Sequence, residues 1–354
     1  MSTTVAMRPL ARPGSSVSAA GATLVVPPAF SGSNPFGRLI GASPALRSVV
    51  EKARRLAELD ASVLLQGETG VGKELFARAI HESGPQRQGP FIAVNCGGLP
   101  RDLVASELFG HVDGAFTGAR RSGMIGKIEA ANGGTLFLDE IGEMPLDVQP
   151  YFLRALEGGE IYPVGSSRPR RIQCRLIGSS NRDLRAEVNA ARFRSDLFYR
   201  VSVTSLRVPS LRERREDISD LVEHFSRDAA GRHGIPVKSF EPGVLLAFES
   251  HSWPGNVREL RNAVETMVLL AEGDTVGFDD MPADIASHAG AQAGGSAAGL
   301  EGVERVAIAG AIRKHRGNLA RTSRDLRISK STLYLKIKKH ALEPTIQEAR
   351  PSAR

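Results

Sequence analysis

The 354-residue sequence predicts an α/β fold with a parallel sheet, continued by an all-α unit and closed by a small three-helix module. Three observations carry this. Up to about Val208, helical patterns alternate with short apolar runs, "SVLLQG", "FIAVN", "GTLFLDE" and "CRLIGSSN". That alternation belongs to parallel strands covered by helices. The first run leads directly into a G-x4-G-K loop and then a helical pattern, the context in which such a loop cradles phosphate. Charge is also uneven. Leu300 to Arg354 holds 13 Lys and Arg against 5 Asp and Glu, so the other 299 residues of this +7 chain sum to −1. A localised basic stretch is the electrostatic footprint of a nucleic-acid-binding module.

The segments follow in order. Residues 1–36 are rich in Ser, Ala, Gly and Pro and are expected to be a disordered tail. Residues 37–208 carry the α/β pattern. Residues 209–286 turn helical through "REDISDLVEHFSRDAAGRHG", "EPGVLLAFESHSW" and "NVRELRNAVETMVLLAEG". Residues 287–299 are a Gly/Ala-rich linker, 300–342 the helical module and 343–354 a polar tail. No apolar run approaches ~20 residues, so no membrane span or membrane partner is expected. The first thirty residues lack the apolar core of a secretory signal. Cys96 and Cys174 have no paired spacing, which argues against a disulfide framework or a zinc site and for a reducing, cytoplasmic setting.

The phosphate site is "GETGVGKE": Gly67, Glu68, Thr69, Gly70, Val71, Gly72, Lys73 and Glu74. Gly67 and Gly72 let backbone amides close on phosphates, Lys73 brings a point charge to the β and γ oxygens, and the helix N-terminus adds its dipole. Glu74 stands where a Ser or Thr would bind Mg²⁺ directly, so the metal must be held by other groups and water. "TLFLDE" delivers Asp139 and Glu140 to a strand end, where open α/β sheets bind ligands. Asp139 is the candidate Mg²⁺ residue, directly or through water, and Glu140 would orient or deprotonate the attacking water.

Taken together, "GETGVGKE", "FIAVNC", "SELFGH", "GAFTGA", "TLFLDEIGEMP", "SNRDL", "FRSDLFYR", "LRERREDI" and "WPGNVREL" make the chain resemble the AAA+ P-loop ATPases of the NtrC-type bacterial enhancer-binding proteins, activators of sigma-54 RNA polymerase. The resemblance covers about Leu39 to Glu272 and the C-terminal module. It implies an ATPase with ATP and Mg²⁺ as cofactors. Asn95 then matches the asparagine that contacts the catalytic glutamate, Asn181 matches sensor I, and Arg258 matches sensor II on a helical lid. Arg194 and Arg200 match arginine fingers that reach a neighbour's nucleotide in a ring, expected to be a hexamer. Ile40 and Ile218 would flank the base. Glu74 is usual in that family. "NCGGLP" departs from it, with glycines where alanines are common, and so do Val112 and Asp113. Pro150 is compatible with a helix if Asp147 caps it, since the first turn tolerates proline.

Gly114, Ala115, Phe116, Thr117, Gly118 and Ala119 form "GAFTGA", small uncharged residues around one aromatic. Composition alone favours a packed turn with Phe116 buried locally. The resemblance makes it the loop that contacts sigma-54, with Phe116 as an apolar tip and Thr117 as a hydrogen-bonding group.

The C-terminal module reads as three helices, with Gly317 stopping the first and Ser329 capping the third. It is a helix-turn-helix similar to the Fis-type domain, predicted to bind double-stranded enhancer DNA. Lys330, Ser331, Thr332 and Lys336 are expected to reach the groove, Lys338 and Lys339 to meet phosphates, and Tyr334 to lie at the core edge or on the backbone. Leu333 and Ile337 should face inward.

The expected function is an ATP-dependent transcriptional activator that remodels the closed sigma-54 promoter complex, cytoplasmic and nucleoid-associated. Two alternatives stay open: a DNA-binding regulator with a vestigial ATPase, and a different AAA+ remodeller. The short segment before the ATPase leaves no room for a phospho-receiver or ligand-sensing domain. Control is therefore expected from a separate regulatory protein or from expression level, unless the chain is part of a longer regulator.

Overall fold

A computed structural model describes residues 34–115, 123–283, 285–286, 299–315, 317–326, 328–340 and 342. Order begins earlier than composition suggests. Residues 1–33 of the expected tail lie outside the described residues, but Pro35–Arg38 is a 3-10 turn whose N-cap, Asn34, accepts a hydrogen bond from the Phe36 N–H. Phe36 is buried, and the Arg54 guanidinium lies 5.5 Å from its ring centroid. One aromatic with a place to pack overrides the polar composition around it.

The α/β part runs α1 (Pro44–Ala57), β1 (Val63–Gln66), α2 (Lys73–Glu82), β2 (Phe91–Asn95), α3 (Arg101–Phe109), β3 (Gly110–His111), β4 (Met124–Ile125), α4 (Lys127–Ala130), β5 (Thr135–Asp139), α5 (Gln149–Gly158), β6 (Glu160–Ile161), β7 (Arg170–Arg171), β8 (Arg175–Ser180), α6 (Leu184–Asn189), α7 (Ser195–Val201) and β9 (Thr204–Arg207). Helix α1 starts where its sequence says it should. Ser43 Oγ accepts from the Leu46 N–H, and Pro44 occupies the first turn, where its missing N–H costs nothing. Helix α5 starts one residue later than expected. Its N-cap is Val148, without a side-chain cap, and not Asp147, yet Pro150 still falls in the first turn.

Five strands form one sheet in the order β2-β5-β8-β1-β9, all paired parallel. The β5 run shows why the order places it centrally. Thr135 to Leu138 are all buried, as a strand covered on both faces must be. Alternate residues feed two core layers. Leu64, Leu136, Leu138 and Leu176 pack on one face, and Val63, Leu65, Phe137 and Ile177 on the other. The buried Arg175 at the start of β8 donates to the carbonyls of Ala57 (3.1 Å) and Leu56 (2.6 Å), satisfying the orphan C-terminal carbonyls of α1.

The second part contains α8 (Ile218–His233), β10 (Ser239–Phe240), α9 (Pro242–Ser250), α10 (Asn256–Leu270) and β11 (Thr275–Val276). It is not purely helical, because β10 and β11 pair in parallel. Its core gathers Leu221, Phe248, Leu260 and Val264 around the buried Trp253, whose indole N–H donates to the Phe248 carbonyl at 2.7 Å. The last part is α11 (Gly299–Lys314), α12 (Leu319–Asp325) and α13 (Lys330–Lys339). Gly317, with φ 75°, ends α11 by donating to the Ile312 carbonyl at 2.9 Å, a left-handed C-cap that glycine adopts freely. Among the described residues, no helix is long and apolar enough to cross a membrane. The expected linker 287–299 lies outside them except for Gly299.

Candidate functional site

Parallel pairing brings the C-terminal ends of four strands to one edge of the sheet. Gln66 pairs with Ser180 and Asn95 with Asp139. Loop 67–72 leaves β1 at this edge and enters α2 through Gly72 in a left-handed conformation, φ 102°, with no side-chain cap. The first N–H groups of α2 are thus left for an external acceptor. Lys73 is only 7% exposed, and its Nζ donates to the carbonyls of Gly67 (2.9 Å) and Glu68 (3.0 Å). That uses two of an ammonium's three donors. Burial lowers its pKa, and the nearby carboxylates of Asp139 and Glu140 oppose that shift. A desolvated cation at an uncapped helix N-terminus suits an anionic group.

Asp139 ends β5 and accepts a hydrogen bond at Oδ1 from the Ser179 hydroxyl. Glu140 follows in a left-handed conformation, φ 54°, which re-aims its side chain out of strand alternation. Asn95, on the neighbouring strand, uses its Oδ1 to accept from the N–H groups of Gly97 (2.9 Å) and Gly98 (3.0 Å). A Cβ at position 97 would lie 2.8 Å from Glu140 Oε2 and 3.5 Å from Asn95 Oδ1. Gly97 thus stands between the two and leaves room that alanine would fill. Asn181 caps the same edge, donating from Nδ2 to Thr69 Oγ1 at 3.2 Å. Glu74 turns away along α2 to Arg78, 3.0 Å from its Nε and 2.8 Å from its Nη2. Among the described residues no cluster of three or more His, Cys, Asp or Glu could hold a metal by itself. Burial pushes the Cys96 thiol up to about 12 and the Cys174 thiol up to about 11, which disfavours the thiolate of each.

The helical part closes on this loop through Arg212, Arg258 and Asn256, the last of which sequence reasoning did not single out. Asn256 is fully buried and left-handed, φ 52°. Its Oδ1 accepts from the Leu211 N–H at 2.8 Å, and its Nδ2 donates to Glu68 Oε2 (3.1 Å) and to the Thr69 carbonyl (3.0 Å). Arg212 grips Glu68 with both terminal nitrogens. Those bonds, then that of Asn256, lower the Glu68 pKa to about 2. Arg258 donates its backbone N–H to the Gly70 carbonyl at 3.3 Å. A Cβ on Gly70, φ +80°, would sit 2.2 Å from the Gly255 carbonyl oxygen. Lid and loop are in direct contact. Ile40 and Ile218 both belong to the lid core, and Asp217 between them accepts from the N–H groups of Ala42 (2.7 Å) and Ser43 (2.8 Å).

Two clefts border the loop. One of about 780 Å³ is lined by Gly67, Glu68, Asn181, Tyr199 and Arg207 among others. The other, about 380 Å³, lies against Thr69, Gly255, Arg258 and Ile285.

The recognition element has its own geometry. Ser329 caps α13 by accepting from the Thr332 N–H at 3.1 Å, and the Thr332 hydroxyl lies 2.7 Å from Ser329 Oγ. Leu333 and Ile337 are buried. Lys330, Ser331, Tyr334, Lys338 and Lys339 are exposed, whereas Thr332 and Lys336 are half-buried. The last two therefore sit at the flank of the helix and not on its outward face.

Comparison with known proteins agrees. Residues 39–207 match the model of the sigma-54 interaction domain, 212–297 an AAA+ ATPase lid domain, and 299–340 the Fis family of bacterial regulatory proteins. The transcriptional regulatory protein ZraR of Salmonella typhimurium is 42% identical over 305 residues, covering 85% of this chain and 68% of that protein. The chain belongs to the sigma-54 activator family. The DNA-binding transcriptional regulator NtrC of Rhizobium meliloti is 47% identical over 238 residues, 67% of this chain and 49% of NtrC. NtrX of Brucella abortus, solved in complex with ADP, superposes with a TM-score of 0.68 at 32% identity over 86% of this chain and 70% of NtrX. NtrX has also been solved with ATP, with a TM-score of 0.67. The chain spans about half the length of the first curated relatives it matches.

Two further features that a sigma-54 activator is expected to carry lie outside loop 67–72. Arg194 pairs with Asp196 through Nε (3.1 Å) and Nη2 (2.7 Å), and Arg200 donates to the Leu156 carbonyl at 2.9 Å. Both are exposed, and neither bonds to loop 67–72 among the described residues. Phe116, Thr117, Gly118 and Ala119 lie outside the described residues, but the base of their loop is built. Strands β3 and β4 pair antiparallel, the Val112 N–H donates to the Val164 carbonyl at 3.1 Å, and Gly114 is left-handed, φ 71°.

Proposed function

We propose that the chain is an ATP-hydrolysing activator that binds enhancer DNA, assembles into a hexameric ring and remodels the closed sigma-54 polymerase complex into an open one. The observation that supports this best is the Lys73 cradle. A buried ammonium, an uncapped helix N-terminus and two carboxylates converge beneath a lid that touches the loop. The residues fit a nucleoside triphosphate. Arg214 strengthens the fit: it is buried, and its Nε has no hydrogen-bond partner among the described residues, an orphan donor that a ligand acceptor would satisfy.

Gly67 to Lys73 would bind the phosphates, and Ile40 and Ile218 would pack beside the base. Mg²⁺ needs only one or two carboxylates alongside phosphate oxygens and water. Asp139 supplies one, and the metal would neutralise charge on the phosphates. Glu140 would accept a proton from the attacking water, with Asn95 steering it and Asn181 and Arg258 registering the γ-phosphate. Arg194 and Arg200, exposed and without a hydrogen bond to loop 67–72 among the described residues, would act on a neighbouring subunit, where an arginine finger contributes ~10³–10⁵ in rate. The Gly114–Ala119 loop would contact sigma-54. Helix α13 would enter the major groove, with Lys338 and Lys339 on phosphates.

In vitro transcription with the purified chain, ATP and sigma-54 polymerase on a promoter that forms a stable closed complex tests the proposal. Open complexes that require hydrolysable ATP are expected. Phe116→Ala should abolish them and leave ATP hydrolysis within about twofold, since it removes a contact and no catalytic group. Equal loss of both activities would remove the contact-loop role, and normal hydrolysis with no open complexes would remove the sigma-54 target.

A further inference from the structure

Leu335 is 71% exposed, more than any other large apolar side chain among the described residues. It stands in the middle of α13, the element proposed to enter DNA. Its position is no accident of a frayed end. Leu333 and Ile337 fix the inward face of the helix, and at ~100° per residue Leu335 lies about 180° from their mean direction. Ser331 and Lys338 share its stripe at i−4 and i+3, and both are exposed. The stripe is apolar at its centre and polar or basic at its ends. It carries no acidic residue: Lys330–Lys339 contains four lysines and no Asp or Glu.

Exposing a leucine forfeits the gain that burial would bring, so the residue makes sense where a partner covers it. Charge selects the partner. A face flanked by Lys338 and Lys339 is complementary to a polyanion, and the major groove of duplex DNA offers one apolar feature, the C5-methyl group of thymine. We propose that Leu335 is a specificity-determining residue that packs against a thymine methyl in the major groove, while the flanking lysines hold the helix on phosphates. This rests on the proposed DNA-binding function of the module and adds to it a base preference that the basic residues cannot supply.

The test starts with selection of a binding site from random duplexes by the full chain. Each thymine of that site is then replaced by deoxyuridine, which lacks only the methyl group. At one position per half-site, deoxyuridine should weaken binding about fourfold, the worth of one buried methyl. Leu335→Ala should bind the thymine site more weakly and no longer distinguish the two bases there, whereas Leu335→Met should keep the distinction. Because Leu335 is exposed, Leu335→Ala should fold normally, checked by circular dichroism. Specific binding with no deoxyuridine penalty, or with a penalty that survives in Leu335→Ala, overturns the proposal and leaves DNA binding intact. Loss of self-association in Leu335→Ala with base discrimination unchanged would make the leucine a contact between copies and also overturn it. If selection yields no preferred duplex, the DNA-binding function fails and the proposal falls with it.

Discussion

Asn256 offers the sharpest test of how the lid is tied to the phosphate loop. Its side chain makes three hydrogen bonds, accepting from Leu211 N–H and donating to Glu68 Oε2 and the Thr69 carbonyl, all from a fully buried position. At about 1 kcal/mol net for each, removing them should cost about 3 kcal/mol. The backbone adds a second term that separates two substitutions. With φ at 52°, alanine carries left-handed strain that glycine does not, about 1 kcal/mol. Asn256→Gly should therefore destabilise by about 3 kcal/mol and Asn256→Ala by about 4 kcal/mol. That inverts the usual order, in which glycine inside a helix is worse than alanine by ~1 kcal/mol. The chain has one tryptophan, Trp253, buried in the lid core three residues away. Its fluorescence during urea unfolding reports on the part concerned. Both variants should also weaken binding of a nucleotide analogue, because the lost bonds position Glu68 and Thr69. An Asn256→Gly variant as stable as the parent, or an alanine variant more stable than the glycine one, would refute the latch.

Other consequences can be measured with the same protein. Glu140→Gln should lower phosphate release by ~10²–10⁴, the usual worth of a general base, while equilibrium nucleotide binding persists; parallel loss of both would place Glu140 in binding. Gly70→Ala should push the lid off the loop, because its Cβ would meet the Gly255 carbonyl oxygen at 2.2 Å, so nucleotide affinity falls while the sheet core stays folded by circular dichroism. Glu68, held near about 2 against an ordinary 4.5 by Arg212 and then Asn256, has a depressed pKa, so its contribution to stability is present above the ordinary value and lost as pH falls from about 4.5 towards 2. The Trp253 transition should weaken over that window in the parent and less steeply in Glu68→Gln; superimposable profiles would show that the Glu68–Arg212 pair contributes nothing.

What the sequence revealed about the site was what it encodes locally. Gly67 to Lys73 follows its strand and precedes its helix within a dozen residues, and Asp139 and Glu140 end a single apolar run, so spacing alone brings each group to the right edge. The caps Ser43 and Ser329 are equally local. Asn256 was invisible for the opposite reason: its partners Glu68 and Thr69 are 188 and 187 residues away, and the only local hint is an asparagine after a glycine at a helix start, where a left-handed turn suits it. Phe36 was masked by the polar company it keeps. Leu335 was legible in principle, since two inward residues at i and i+4 oblige the residue between them to point out, but an apolar residue in a helix is assumed to be inside. The arginines are a different case. A group proposed to act on a neighbouring subunit would leave no mark in one chain beyond exposure, and Arg194 is exposed and paired with Asp196.

The place where the "GAFTGA" loop enters the fold ties these pieces together. Helix α3, the β3–β4 hairpin and α4 are inserted between β2 and β5, the two strands that end at Asn95 and Asp139 and lie side by side in register. The insertion leaves β2 directly after Asn95 and returns to β5 at Thr135, the end opposite Asp139. Its base is clamped. Gly110 and Gly126 approach so closely that a Cβ on Gly110 would lie 2.6 Å from Gly126 N and one on Gly126 would lie 2.4 Å from Gly110 N, and Val112 and Gly110 are hydrogen-bonded to Val164. A base packed this tightly leaves little slack to absorb a displacement locally. If hydrolysis is coupled to the proposed sigma-54 contact, β2 offers a short connection from Asn95 to the insertion. Such coupling needs only that Asn95 and Glu140 shift relative to each other between nucleotide states, and Gly97, which has no Cβ to wedge between them, leaves them free to do so.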